Sequence, residues 1–404
     1  MSDSALNTFQ QISHPILPEA TADELSRQEF VKSFKSYIQS DILPGLKLSY
    51  DVRSAPAYAK QKGELPEDRW AVREAMKHDP YFQGYVSLQR ISQELMWRSV
   101  IESVDRQLPD LIEKVDTIKS VGGTLDLDPN FVPPHYVTAL DIHCMPGGYA
   151  GVVAKNDVAA GAVYDRGVYL YAMGYMGPFN DDMGRSVCNY VTRKFPDFKP
   201  EKIVDLGCTV GHSTLPFAEM FPEAEVHGVD VGEAILRYAH ARAEGMGLKA
   251  HFSQQDASAM KYEDNSFDLV VSHILLHETS GKAIGDVFKE CYRILKPGGM
   301  MIHADLPPFG DMDPYQQFIL DNETYYNNEP FWGAMRDLDQ IQLSIDAGFD
   351  KETIVFDTAP MAIMEFAMTD ESYDEDLAKE LSEREFEAGE YAPGGGWEVL
   401  IARK

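Results

Sequence analysis

Between residues 160 and 305, short apolar runs alternate with longer stretches in which apolar positions recur every three or four residues. The runs at 202–206, 224–229, 250–253, 267–272 and 300–304 read as buried strands, with helices at 233–244 and 284–295 among them. In the second helix Ile284, Val287, Phe288 and Cys291 share one face, so Cys291 is expected in the core. Alternation at this spacing predicts an α/β fold with a parallel, doubly wound sheet. Residues 20–120 read as helical instead. Thr21 and Glu24 have capping-box spacing, and Phe30, Phe34 and Ile38 follow at four-residue steps. A longer stripe runs through Phe82, Tyr85, Val86, Leu88, Ile91, Leu95, Met96, Val100 and Val104, expected to pack as core or as a dimer face. A Pro/Gly-marked junction (Pro129, Pro133, Pro134, Pro146, Gly147, Gly148) separates the two textures. Past 305 come an aromatic stretch at 315–332, a helix and strand near 337–356, an acidic helical segment at 370–390 and a last strand at 397–402.

The expected organisation is a mainly helical N-terminal domain at 1–150, serving in dimerisation or as a substrate lid, and a second domain at 160–404. The latter would carry a lid over the acceptor at 306–335 and an acidic insertion at 358–396.

Charge narrows the partners. Thirty-six Lys and Arg against 65 Asp and Glu leave a formal charge of −29, a field that repels phosphate backbones and anionic lipid. No nucleic acid or membrane partner is therefore expected. No apolar run approaches the roughly 18 residues of a membrane span, and no signal pattern opens the chain. Cys144, Cys188, Cys208 and Cys291 lack zinc-ligand or redox spacing, which fits reduced thiols and a cytoplasmic location.

The most informative stretch is 203–214, where a buried strand ends in Asp205 and Gly207 and Gly211 permit a tight turn into a helix. Such a loop brings backbone close to a ligand at the carboxyl edge of the sheet. It is not the dinucleotide fingerprint, because Thr209 and His212 stand where glycines would be required. Asp205 is awkward beside a pyrophosphate but suits a ligand bearing an ammonium group. Asp230, 25 residues on at the end of the next strand, suits two ribose hydroxyls. Asp256, after the third strand, suits an adenine amino group. S-adenosylmethionine carries all three features.

These elements, together with 267–272 and the Arg293–Gly299 helix end and turn, resemble the class I S-adenosylmethionine-dependent methyltransferases. The likeness is to their small-molecule branch, which includes ubiquinone- and menaquinone-biosynthesis methyltransferases, and it covers roughly 160–305. It implies a Rossmann-like seven-stranded sheet whose last strand, 397–402, is antiparallel. It also implies S-adenosylmethionine as cofactor, held by Asp205, Gly207, Cys208, Thr209 and Gly211 in the loop, Asp230 and Val231, Asp256 and Ala257, Ser272, and Tyr164 from an upstream lid pair with Asp165. Two departures stand out: Thr209 replaces the usual middle glycine, and about forty residues separate the last two strands where a short hairpin is usual.

Methyl transfer needs an available nucleophile beside the sulfonium, just past the fourth strand of this core. There lie His273, His277 and Glu278. His277 is expected to act as the base, with His273 a further catalytic candidate and Glu278 orienting it or binding substrate. Tyr325, Tyr326 and Trp332, mixed with Asn327, Asn328 and Glu329, are expected to receive a small-molecule acceptor. Asp305, Leu306, Pro307, Pro308 and Phe309 are similar to the Asp/Asn-Pro-Pro-aromatic signature of nucleic acid amino-methylating enzymes. They follow the wrong strand and include an interposed leucine. Asp311 and Asp313 read as a turn, so no metal is expected. The competing expectation is a non-catalytic cofactor-binding scaffold, suggested by Thr209 and the unassigned N-terminus.

Overall fold

A computed structural model describes residues 11–310, 312–363 and 396–404. Its centre is an eight-stranded sheet, one strand more than the seven expected. The strands are β1 (Thr124–Asp126), β2 (Lys202–Leu206), β3 (Glu225–Asp230), β4 (His251–Gln254), β5 (Phe267–His273), β6 (Leu295–Ala304), β7 (Val355–Pro360) and β8 (Gly396–Arg403). They lie in the order β1-β4-β3-β2-β5-β6-β8-β7. The pairs from β1 through β6 are parallel, while β8 runs antiparallel to both β6 and β7. β2, β3 and β4 build leftward from the centre, β5 and β6 rightward. The β2–β5 boundary is therefore the switch point at whose carboxyl ends α/β sheets bind ligands.

The central strands are apolar because both faces are covered: Ile203, Val204 and Leu206 in β2 and Leu269, Val270 and Val271 in β5 are fully buried. On one face Met183, Val187 and Val191 from the helix Asp182–Lys194 join Phe217. On the other, Ile284, Val287, Phe288 and Cys291 form the expected stripe of the helix Gly281–Ile294.

The N-terminal stretch is helical, as its pattern indicates. Thr21 and Glu24 close their capping box at the helix Ala22–Tyr37. The helix Pro80–Thr117 buries Phe82, Tyr85, Val86, Met96, Val100 and Val104. Ile91 and Leu95 lie off that face and are exposed. Val31, Met96, Trp97, Val100 and Val104 share one apolar cluster with Ala162, Leu170, Val210 and Tyr238, so these helices pack directly on the sheet-bearing part. β1, from the same stretch, adds the outermost rung beside β4. The segment 306–335 forms short helices, Pro314–Leu320, Asn322–Tyr326 and the start of Trp332–Arg336. Of the expected insertion 358–396, positions 358–360 belong to β7 and Gly396 to β8; the acidic segment 370–390 and Asp311 lie outside the described residues.

Candidate active site

A cavity opens at the carboxyl ends of β2, β3 and β5, enclosing about 1130 Å³ of atom-free space that includes its open mouth. Nine of the expected cofactor residues line it: Asp205, Gly207, Cys208, Thr209, Asp230, Val231, Asp256, Ala257 and Tyr164. The loop after β2 owes its path to a run of left-handed backbone, with φ of +67° at Gly207, +43° at Thr209 and +80° at Gly211. The positive φ favours glycine at 207, and a Cβ there would stand 2.6 Å from Leu275 Cδ1, so that side chain would have to shift. Thr209 takes a conformation that costs a β-branched residue energy, and its N–H is held by Asp230 Oδ2 at 3.0 Å.

Asp230 Oδ1 accepts from Gly232 N–H at 2.9 Å, so one carboxylate pins two turns. Burial pushes its carboxyl above the usual range. Asp205 accepts from Thr214 Oγ1 (2.6 Å) and lies 3.1 Å from His273 Nδ1. The His273 Nε2 atom is buried without a hydrogen-bond partner, and the residue lines the cavity. Asp256 Oδ1 accepts from Ser258 N–H and Oγ.

Several expected residues sit elsewhere. Gly211 shapes the loop, its N–H donating to Cys208 O (2.8 Å), and does not line the cavity. Ser272 is fully buried and turned inward, 2.6 Å from His303 Nδ1. Tyr325 is half-exposed beneath the Arg73 guanidinium, 3.6 Å from its ring centroid. Tyr326 packs edge-on against Phe82 in the helical core. Both tyrosines point away from the cavity because their helix offers that face to the N-terminal helices. Trp332 and His277 are both buried and do not line the cavity; their ring centroids lie 4.9 Å apart in an edge-on pair.

His277 Nδ1 stands 2.6 Å from Asp305 Oδ1. Burial works to lower its pKa, but Asp305 and Glu278 raise it above the ordinary value. Glu278 lines the cavity and accepts from Tyr149 OH at 2.9 Å. Its Oε1 is 2.7 Å from His143 Nε2, and His143 Nδ1 is 3.0 Å from Glu329 Oε1.

Tyr136, Ile142, His143 and Tyr149, all in or next to the Pro/Gly-marked junction, also line the cavity. Their clustered aromatic and histidine side chains are the signal that could have flagged this junction. Gly232 admits the approach, since a Cβ there would meet Tyr149 O at 2.3 Å. Asp165, expected only as the neighbour of Tyr164, is a buried hub beneath the loop. It lies 2.9 Å from His14 Nε2 and 3.0 Å from His212 Nε2, and it accepts from Gln11 Nε2 and Tyr238 OH.

Residues 203–299 match the family described as methyltransferase domain. That stretch of the chain is a methyltransferase domain. S-adenosylmethionine is the cofactor of such a methyltransferase domain, and the site suits it: a glycine cradle, acids at the ends of two successive strands, and, beside Asp205, an imidazole nitrogen without a hydrogen-bond partner. The chain is 33% identical over 139 residues to demethylmenaquinone methyltransferase of Thermus thermophilus, covering 34% of this chain and 60% of that protein. It is 32% identical to phosphoethanolamine N-methyltransferase 3 of Arabidopsis thaliana, covering 27% and 22%. It is 30% identical to malonyl-[acyl-carrier protein] O-methyltransferase of Legionella pneumophila, covering 27% and 37%. The chain thus spans less than two thirds of each of these relatives. Among solved structures it is similar to Haemonchus contortus phosphoethanolamine N-methyltransferase 2 in complex with S-adenosyl-L-methionine, with a TM-score of 0.39, 20% identity, and coverage of 63% of this chain and 60% of that one. Among the described residues, no helix is long and apolar enough to cross a membrane.

Proposed function

We propose that this protein is an S-adenosylmethionine-dependent methyltransferase that methylates a small-molecule acceptor. The observation that carries the reading is the convergence of Gly207, Thr209, Asp230 and Asp256 on one cavity that His273 and Glu278 also line. Asp230 would take the ribose hydroxyls, Asp256 and Ala257 the adenine, and Asp205 with the 207–211 loop the amino acid end. When bound, the cofactor supplies a sulfonium methyl whose positive charge disperses during transfer, so a dry, oriented pocket favours the reaction.

The protein supplies that environment. Tyr149 and Tyr164 stand edge-to-face with ring centroids 5.8 Å apart, and together with Met176 they exclude water from one wall. Glu278 in the cavity wall, with the buried His277 and Trp332 behind it, receives the acceptor and weakens the hold of its reacting atom on a proton. Asp305 acts as a positioning residue by fixing the His277 ring.

The net charge supports an acceptor that is not a nucleic acid, and four buried free cysteines support a reducing, cytoplasmic setting. Exposed Phe30, Tyr37 and Leu48 on the N-terminal helices support pairing of two copies through that region, which light scattering would test.

The decisive experiment has two arms. Calorimetry should show saturable binding of S-adenosylhomocysteine, and a cell extract incubated with deuterated-methyl cofactor should yield a labelled metabolite. Absence of binding ends the reading; binding without any transfer favours the scaffold instead. His277→Ala should lower turnover by about 10²-fold or more while S-adenosylhomocysteine affinity changes little. Equal turnover would remove His277 from the chemistry.

A further inference from the structure

Three segments far apart in sequence deliver two imidazoles and two carboxylates to one point beside the cavity. His143 comes from the turn Ile142–Cys144, His277 and Glu278 from Leu276–Glu278, and Glu329 from the loop before Trp332–Arg336. One ligating atom from each lies within 4.8 Å of the other three. Their side chains are 18%, 3%, 13% and 0% exposed.

Three of the four are each held by a further neighbour. Asp305 grips His277 Nδ1, Tyr149 OH donates to Glu278, and Asn327 Nδ2 donates to Glu329 at 2.6 Å. A carboxylate behind an imidazole, leaving the opposite nitrogen directed inward, is the outer support that orients a metal-ligating histidine. His277 Nε2 points into the cluster, 3.9 Å from Glu278 Oε1 and beyond hydrogen-bond reach. Glu329 Oε2 is fully buried and has no hydrogen-bond partner.

The ion pairs of His143 with Glu278 and Glu329 satisfy only part of this set. They leave a buried carboxylate oxygen and an inward imidazole nitrogen unused, which is costly in an apolar setting. A cation at the centre would use all four groups. Two neutral imidazoles and two carboxylates sum to −2, which a divalent ion neutralises. Mixed nitrogen and oxygen donors suit zinc and its first-row neighbours, whereas magnesium and calcium prefer oxygen alone.

We propose that His143, His277, Glu278 and Glu329 form a binding site for a divalent transition-metal ion, next to the methyl-donor pocket. The proposal rests on the acceptor lying against Glu278 in the cavity wall. A metal there would activate an acceptor heteroatom by making its proton easier to lose.

The test uses the full chain stripped with a chelator and titrated with Zn(II) by calorimetry, and with Co(II) followed by visible absorption. Wild type should take up one ion per chain. Glu329→Gln and His277→Ala should each weaken Zn(II) binding at least about tenfold, and Asp305→Asn about 10–100-fold. S-adenosylhomocysteine affinity should stay within about twofold in each variant, which also shows that the variant folds. Absence of saturable uptake by wild type, or equal uptake by Glu329→Gln, overturns the site while leaving the methyltransferase reading intact. Zinc uptake without S-adenosylhomocysteine binding sinks that reading and leaves the metal site standing.

Discussion

Asp230 holds Thr209 N–H and Gly232 N–H with separate oxygens, so it orders both turns that border the expected ribose position. Asp230→Ala removes that order together with the ribose contacts. At about 1 kcal/mol per hydrogen bond, calorimetry should show S-adenosylhomocysteine affinity falling by roughly tenfold or more; an unchanged constant would misplace the ribose. Gly207→Ala should cost about 1–3 kcal/mol in chemical denaturation, because the added methyl meets Leu275 on a left-handed backbone. The loop and its acids were legible because covalent neighbours fix them: a strand end, a turn and a helix start follow each other within a dozen residues. His143 and Tyr149 were not legible, since nothing local to the junction says that it folds onto the cavity and Glu278. Ser272 lies off the cavity for a physical reason. Strand side chains alternate between faces, and its hydroxyl points inward to His303 rather than to the ligand.

Period-2 and period-3.6 patterns located the central strands to within a residue or two, apart from the start of β6, where Leu295–Gly299 reads as a helix end and turn but joins the strand. Its pairing with β5 shifts register between Phe267 and Leu269, the irregularity that a Pro-Gly-Gly segment introduces. β1 could not be read, because three residues with an exposed-intermediate-exposed pattern carry no periodic signal. Tyr325 and Tyr326 show the opposite limit: composition marked an aromatic lid, and tertiary packing turned it toward the helices. The stripe of Pro80–Thr117 was legible, but its start depends on a cap. Asp79 Oδ1 accepts from Tyr81 and Phe82 N–H, while Arg53, Ser49 and Ser54 converge on the same carboxylate. Asp79→Ala should therefore destabilise the protein by about 2 kcal/mol, the upper end for a lost cap, seen as a lower denaturation midpoint.

Asp165 ties the N-terminal segment, the cofactor loop and the helix Glu233–Gly245 into one unit through His14, His212, Tyr238 and Arg242. Burial works to raise its pKa, but His212, His14 and Arg242 hold it well below the ordinary 3.8. Burial keeps His212 below its ordinary 6.5. Both groups bind fewer protons folded than unfolded, so stability rises with pH across their windows. Thermal melting should weaken first as pH falls below 6.5 through His212, and again below 3.8 through Asp165. Asp165→Asn should cost about 3–5 kcal/mol at neutral pH, as expected when one partner of a buried ion pair is lost. A flat melting curve from pH 7 to 5 would count against the His212 part. The order of assembly follows from β8, which lies between β6 and β7 although it is the last strand along the sequence. A ribosome releases those eight residues after everything they join. Until then β6 keeps an open edge and β7 has no partner, so the half-made protein is poised to pair with a stranger.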